Sequence, residues 1–347
     1  MAGIESVDKN FIVKTTIEKD DIKFYNADDA PFKVYGIFKE NGKYRRMPET
    51  IAKGISEGVD FLHTNTAGGR VRFKTDSEYI AIHAKMDGLG KMSHFAFTGS
   101  IGFDLYEDTT YVKTYVPPVD IKDGFESITE FEDSKLREIT INFPLYSNVL
   151  DLYIGLQEGS KVLEASPYKN EKPVVYYGSS ITQGGCASRP GMAYQNILSR
   201  QFNLDFLNLG FSGSAKAEDE MVEYIKGLDM CAFVYDYDHN APTIEHLEKT
   251  HEKMFKAIRE AQPDIPIIIM PRPKHILNEE EKKRHNIIEA TYKNAVANGD
   301  KNVYFIESKA LTALCGYEGT VDSCHPTDFG FASIAKAVAE VFSKINI

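Results

Sequence analysis

The sequence predicts an α/β protein in two parts: an antiparallel, jelly-roll-like β-sandwich over residues 1–165, then a three-layer α/β/α domain with a five-stranded parallel sheet over residues 172–347. Three observations lead there. Apolar residues alternate with a period of two in the first half. Short apolar runs alternate with amphipathic helical segments in the second. A polar, turn-rich stretch over residues 159–173 separates the two rhythms. A chain of 347 residues is also long for one core and suits two.

In the first half, Ile80, Ile82, Ala84 and Met86 fall on one face of an extended segment. Leu136, Ile139, Ile141 and Phe143 form a second, and Leu150, Leu152, Ile154 and Leu156 a third. Such alternation marks strands with one buried face. Turn material around Gly68, Gly88, Gly99 and Pro117 separates them, and no helical stripe of convincing length precedes residue 160. In the second half, residues 173–177, 205–209, 231–235, 265–270 and 303–306 read as buried strands. Tyr194, Ile197 and Leu198 mark one helix. Ile244, Leu247, Met254 and Ile258 mark another, and Phe331, Ile334, Val338 and Phe342 the last. Right-handed crossovers place the loops after the strands along one sheet edge, where open α/β sheets bind ligands.

The net charge of −11 argues against nucleic acid and anionic membrane surfaces, which need a basic face. No apolar run spans a bilayer. The first six residues lack the basic start and apolar segment of a secretory signal, which predicts a cytoplasmic location. Cys186, Cys231, Cys315 and Cys324 match no zinc spacing and are too sparse for a disulfide framework. They read as free thiols, with a Cys315–Cys324 bridge as the alternative. The chain has no Trp, so any aromatic platform for a sugar would have to use Tyr or Phe. Oligomeric state is left open, a homodimer included.

Four stretches at the predicted edge carry chemistry. Gly178-Ser179-Ser180 follows the first strand and reads as a nucleophile turn, a plain polar turn or a phosphate loop, though it lacks the Walker lysine and the GxGxxG spacing. Gly210 and Gly213 in the second loop let backbone N–H groups approach a ligand. The third loop offers His239 and the Asn240 amide; Asn240 also suits a helix start. Its Asp236, Asp238 and His239 fit no standard metal spacing. Before the last helix, Asp322 and His325 are three residues apart, close enough in a turn for the carboxylate to accept from one ring nitrogen and leave the other as a base.

In this order the four blocks resemble the SGNH hydrolases, related to GDSL lipases and esterases, over residues 172–347. The resemblance implies a flavodoxin-like fold with Ser180 as nucleophile, His325 as base, Asp322 as its partner, and an oxyanion hole from the Ser180 N–H, Gly213 and Asn240. It departs from the family pattern at Ser179, where most relatives have Asp, and at Asp238, where the block usually has Gly. Gly102-Phe103-Asp104-Leu105-Tyr106 resembles the Gly-x-Asp-Leu-Tyr motif of an N-terminal domain attached to such esterases, some of them carbohydrate acetylesterases. Together these imply an enzyme that removes small acyl groups, acetyl first, from a small-molecule or oligosaccharide ester, with no metal or organic cofactor. Arg272, His239 and Asp104 are candidate substrate contacts. Arg272 reads first as a loop brace, and Asp104 also as an outward strand residue. The alternatives are a short-chain lipase or general acylhydrolase, and a non-catalytic glycan binder with a degenerate flavodoxin-like domain.

Overall fold

The computed structural model describes residues 17–347; the leader reading of residues 1–6 lies outside them. The first half forms two antiparallel sheets. One runs in the order Ile22–Asn26, Asn148–Gln157, Tyr79–Asp87, Gly124–Glu130. The other runs Val162–Leu163, Arg70–Thr75, Arg137–Asn142, Phe103–Glu107, Thr110–Tyr115, with Lys33–Tyr35 also on Arg70–Thr75. Their inner faces share a core of Phe73, Ile80, Ile82, Phe103, Leu105, Ile139, Ile141, Leu152 and Ile154.

Alternation misleads at two positions. Leu136 is half exposed, because the strand begins only at Arg137. A bulge between Val149 and Asp151 shifts the register, so Val149 rather than Leu150 joins Leu152, Ile154 and Leu156 inside. Two short helices, Glu49–Ile55 and Glu57–Leu62, also interrupt the all-β reading; Ser56 caps the second by accepting from the Val59 N–H.

The second half is a five-stranded parallel sheet in the order Phe206–Gly210, Val174–Gly178, Ala232–Asp236, Ile267–Ile269, Val303–Phe305. In chain order this is 2-1-3-4-5, the flavodoxin-like arrangement, with the switch point beside the first strand. Successive residues of each strand feed opposite cores. Tyr176, Val234 and Ile268 meet helices Tyr194–Phe202 and Asp328–Ile345 on one face. Tyr177, Tyr235 and Ile269 meet Asp219–Lys226, Ile244–Ala261 and Glu279–Ala297 on the other. The Glu279–Ala297 helix carries a thin apolar stripe, since Glu281, Arg284 and Thr291 are among its few buried residues; its start is fixed by an Asn278/Glu281 capping box.

Beyond the sandwich core, which the first half builds alone, the halves share the two cores that flank the parallel sheet. Ala67, Phe95, Leu145 and Tyr146 of the first pack with Tyr194 and Phe331 of the second. Ala52, Val59 and Leu62 pack with Val175, Tyr177 and Leu209. The buried Arg46 ties them further, donating to the carbonyls of Asn208, Gly210 and Leu62. Among the described residues no helix is long and apolar enough to cross a membrane.

Candidate active site

The first strand ends at Gly178 and the chain turns at once into the short helix Ser180–Gln183, closed by Gly184 at φ +103°. Ser179 is buried, and its side chain caps that helix by accepting from the Ile181 N–H at 3.2 Å. This gives a role to the position that departs from the family pattern. A carboxylate is still present beneath the turn, but it comes from the end of the third strand. Asp236 accepts from the Ser179 N–H at 3.3 Å and the Thr182 hydroxyl at 2.5 Å. Burial raises its pKa to about 7, against the pull of those two donors.

That shift fixes a sign. The folded state holds the Asp236 proton more tightly than the unfolded chain, so this group contributes stability at low pH that is lost as pH rises from about 4 to about 7. Urea unfolding of Asp236→Asn at pH 5 and pH 8 is expected to lose less stability over that interval than the parent, by on the order of 1–3 kcal/mol. Equal losses in both proteins would contradict a raised Asp236.

Ser180 is 7 % exposed, and its Oγ lies 2.9 Å from His325 Nε2. His325 Nδ1 lies 2.7 Å from Asp322 Oδ2, while Asp322 Oδ1 accepts from the backbone N–H groups of His325 and Cys324. The carboxylate thus shapes the turn and holds the ring. Burial pushes its pKa up, but the His325 ring and the two backbone donors win and hold it at about 2. With Nδ1–H committed to Asp322, Nε2 is left to accept from the Ser180 hydroxyl. Ser323, at φ +68°, lets the turn close, and the Asp328–Ile345 helix follows.

The other two loops are bonded to this one. Ser212 N–H donates to Gln183 Oε1 at 3.0 Å, and Phe211 N–H to Gly178 O at 2.8 Å. Gly210 must be glycine, because a Cβ there would collide with the Gln183 amide. Asn240 spends one amide hydrogen on Phe211 O at 2.8 Å, which orients the side chain and leaves its second hydrogen for a ligand. Gly213 is exposed, at φ +68°. The Ser180 N–H lies in the first turn of its helix, where no intrahelical acceptor exists.

Sequence reasoning missed what the first half brings. Tyr146 Oη donates to the Ser180 carbonyl at 3.2 Å, and Gln183 Nε2 donates to Asn65 Oδ1 and Leu145 O. Thr98 donates to Ser188 O at 2.6 Å. His94 sets its ring 5.7 Å from that of His325. These residues come from short stretches without periodicity, and no local pattern pairs residue 146 with residue 180.

The three candidate substrate contacts fall elsewhere. Asp104 faces away from the sandwich core that holds Phe103 and Leu105, as an outward strand residue would, but it is fully buried because the second half covers that face. It accepts from Asn142 Nδ2 at 2.8 Å, Gly191 N–H at 2.7 Å and Arg189 at 3.1 Å, while Tyr106 also meets Arg189. The motif clamps the two halves, and Gly191 leaves no room for a Cβ against Tyr106 and Asp104. Arg272 is the brace: its backbone and side chain hold the buried Asp238, with Nε to Oδ2 at 2.8 Å and Nη2 to Oδ1 at 3.0 Å. His239 lies against the Asp322–His325 turn, Nδ1 3.8 Å from Cys324 Sγ, and burial lowers its pKa to about 4. All four cysteines are free, so Cys315 and Cys324 are not bridged.

A doubly covered parallel sheet with a serine at its switch point and an imidazole within hydrogen-bond reach defines, with its relatives, a carboxylic ester hydrolase. Residues 171–343 match the GDSL-like lipase/acylhydrolase family, and residues 22–162 match the N-terminus of SGNH-hydrolase-type esterases. The chain belongs to the SGNH/GDSL esterases and carries their Gly-x-Asp-Leu-Tyr domain. Similar solved structures include a protein from Bacteroides ovatus named for GDSL-like lipases, at 28 % identity and TM-score 0.82, covering 93 % of this chain and 98 % of that one. A salicylyl-acyltransferase from a tetracycline biosynthetic pathway matches at 16 % identity and TM-score 0.77, covering 95 % and 99 %. An acetyl xylan esterase from Butyrivibrio proteoclasticus matches at 11 % identity and TM-score 0.58, covering 93 % and 99 %. No match was found among the curated proteins.

Proposed function

We propose that the protein removes small acyl groups, acetyl above all, from carbohydrate hydroxyls through an acyl-enzyme on Ser180. The observation that carries this reading is the relay of Ser180 Oγ to His325 Nε2 at 2.9 Å and His325 Nδ1 to Asp322 at 2.7 Å. His325 takes the Ser180 proton as Oγ bonds to the ester carbonyl carbon. The oxyanion accepts from the N–H groups of Ser180 and Gly213 and from the free amide hydrogen of Asn240. The C–O bond to the sugar breaks as His325 returns the proton to the leaving oxygen. Water, deprotonated by the same imidazole, then releases the acid. The acetyl and sugar assignment is supported by the likeness to an acetyl xylan esterase and by the attached domain.

A fluorophosphonate is expected to add its mass to Ser180, and acetate release from acetylated oligosaccharides is expected to exceed turnover of longer p-nitrophenyl esters. An unlabelled Ser180 would remove the serine mechanism; a preference for long acyl chains would favour a lipid acylhydrolase. Asn240→Ala is expected to lower kcat for p-nitrophenyl acetate by about 10²-fold, with a smaller change in KM, because the donor acts where charge develops. A change confined to KM would place Asn240 in ground-state binding instead.

A further inference from the structure

Three lone-pair donors from distant parts of the chain converge beside Ser180. His94, Cys186 and His325 each offer one ligand atom, and these atoms lie within 4.8 Å of one another. No sequence pattern announces the group, since its members are separated by 92 and 139 residues (186 − 94 and 325 − 186). Each member is held for a separate reason. Phe95, next to His94, packs edge-on to Tyr146 at 5.3 Å, and Tyr146 bonds the Ser180 carbonyl. Cys186 is buried, free and set at φ +77°, a conformation that a residue with a side chain rarely adopts. His325 is fixed by Asp322.

We propose that His94, Cys186 and His325 form a binding site for a thiophilic divalent cation of the Zn²⁺ class, and that occupancy reversibly shuts off the esterase. Imidazole and thiolate are the donors that select such ions over Mg²⁺ and Ca²⁺, which prefer oxygen. The Asp322–His325 bond supplies the carboxylate that ligating histidines ordinarily hold on their other nitrogen, leaving Nε2 to the metal. The exposed His94 gives the ion a path in, and solvent completes the coordination. On binding, the Cys186 thiol releases its proton to solvent, and the Nε2 lone pair that accepts from Ser180 becomes a metal bond. The inhibitory consequence rests on His325 being the base; the binding site itself does not.

Two measurements separate those claims. In Ser180→Ala, Co²⁺ is expected to produce a thiolate-to-metal charge-transfer band that Cys186→Ser abolishes in the same background, with circular dichroism confirming the fold. No band, or a band that survives Cys186→Ser, overturns the site. In the active protein, Zn²⁺ is expected to inhibit p-nitrophenyl acetate hydrolysis reversibly on chelation, and Mg²⁺ to have no effect. His94→Ala, measured against its own uninhibited rate, is expected to raise the half-inhibiting Zn²⁺ concentration at least about 10-fold. Unchanged inhibition in His94→Ala overturns the proposal. A cobalt band in a protein that hydrolyses no ester would keep the metal site and reject the esterase reading.

Discussion

Ser180→Ala is expected to lower kcat for p-nitrophenyl acetate by about 10³–10⁶-fold while leaving the fold intact. The reasoning begins with geometry. Ser180 is buried in the first turn of its helix, and its hydroxyl faces only the His325 ring among its described partners. Alanine keeps the helix, whose cap comes from Ser179 rather than Ser180, and keeps the backbone N–H proposed for the oxyanion. The loss is therefore confined to the nucleophile, and KM and thermal stability should move little. A variant retaining most of its activity would reject Ser180 as nucleophile. A variant that lost its fold along with its activity would contradict the capping role of Ser179.

The second large effect lies in the brace behind Asn240. Asp238 is 1 % exposed and holds Arg272 through both oxygens, while Arg284 reaches its carbonyl at 3.1 Å and Oδ1 at 3.4 Å. Burial alone would raise this carboxyl, but the Arg272 guanidinium holds it below the usual range. Removing the carboxylate takes from Arg272 and Arg284 the buried partner they share, leaving Arg272 the carboxylate of Glu281 and Arg284 that of Glu280, each at 3.5 Å. Asp238→Ala is expected to destabilise the protein by about 3–5 kcal/mol, seen as a Tm lower by several degrees and a lower urea midpoint with unchanged slope. The loop also carries Asn240, so residual activity should fall more steeply with temperature than in the parent. A loss under about 1 kcal/mol would show that the ion pairs offset only their own desolvation.

The part of the site that was legible in the sequence consists of residues whose geometry is local. Asp322 and His325 sit three apart in one turn, so a carboxylate and an imidazole had to meet whatever the rest of the chain did. Ser180 follows a buried strand and opens a helix, which places the hydroxyl at the sheet edge. Asp104, His239 and Arg272 read in the sequence as candidate substrate contacts, but what they touch depends on partners 34 to 87 residues away. Asp104 needed Arg189 and Gly191 to become a clamp; without them it reads as a strand residue facing out. The bulge at Val149/Asp151 is marked in the sequence only by the apolar doublet Val149-Leu150, and alternation alone does not say which of the two turns inward.

By itself, then, the sequence determined the alternation of strands and helices, a five-stranded parallel sheet covered on both faces, and the serine, histidine and aspartate at its edge; the 2-1-3-4-5 order is read from the structure. The former depend on periodicity and short spacings, which a linear reading contains. Tertiary structure alone decided that the first half packs into both cores flanking the parallel sheet, that Tyr146 and His94 reach from the β-domain to Ser180 and His325, and that the carboxylate under the Ser179–Ser180 turn is Asp236. The physical reason is that burial and hydrogen-bond partnership are properties of the packed chain. A polar group taken from water must find whichever partner the fold brings within reach, and that partner's place in the sequence is unconstrained.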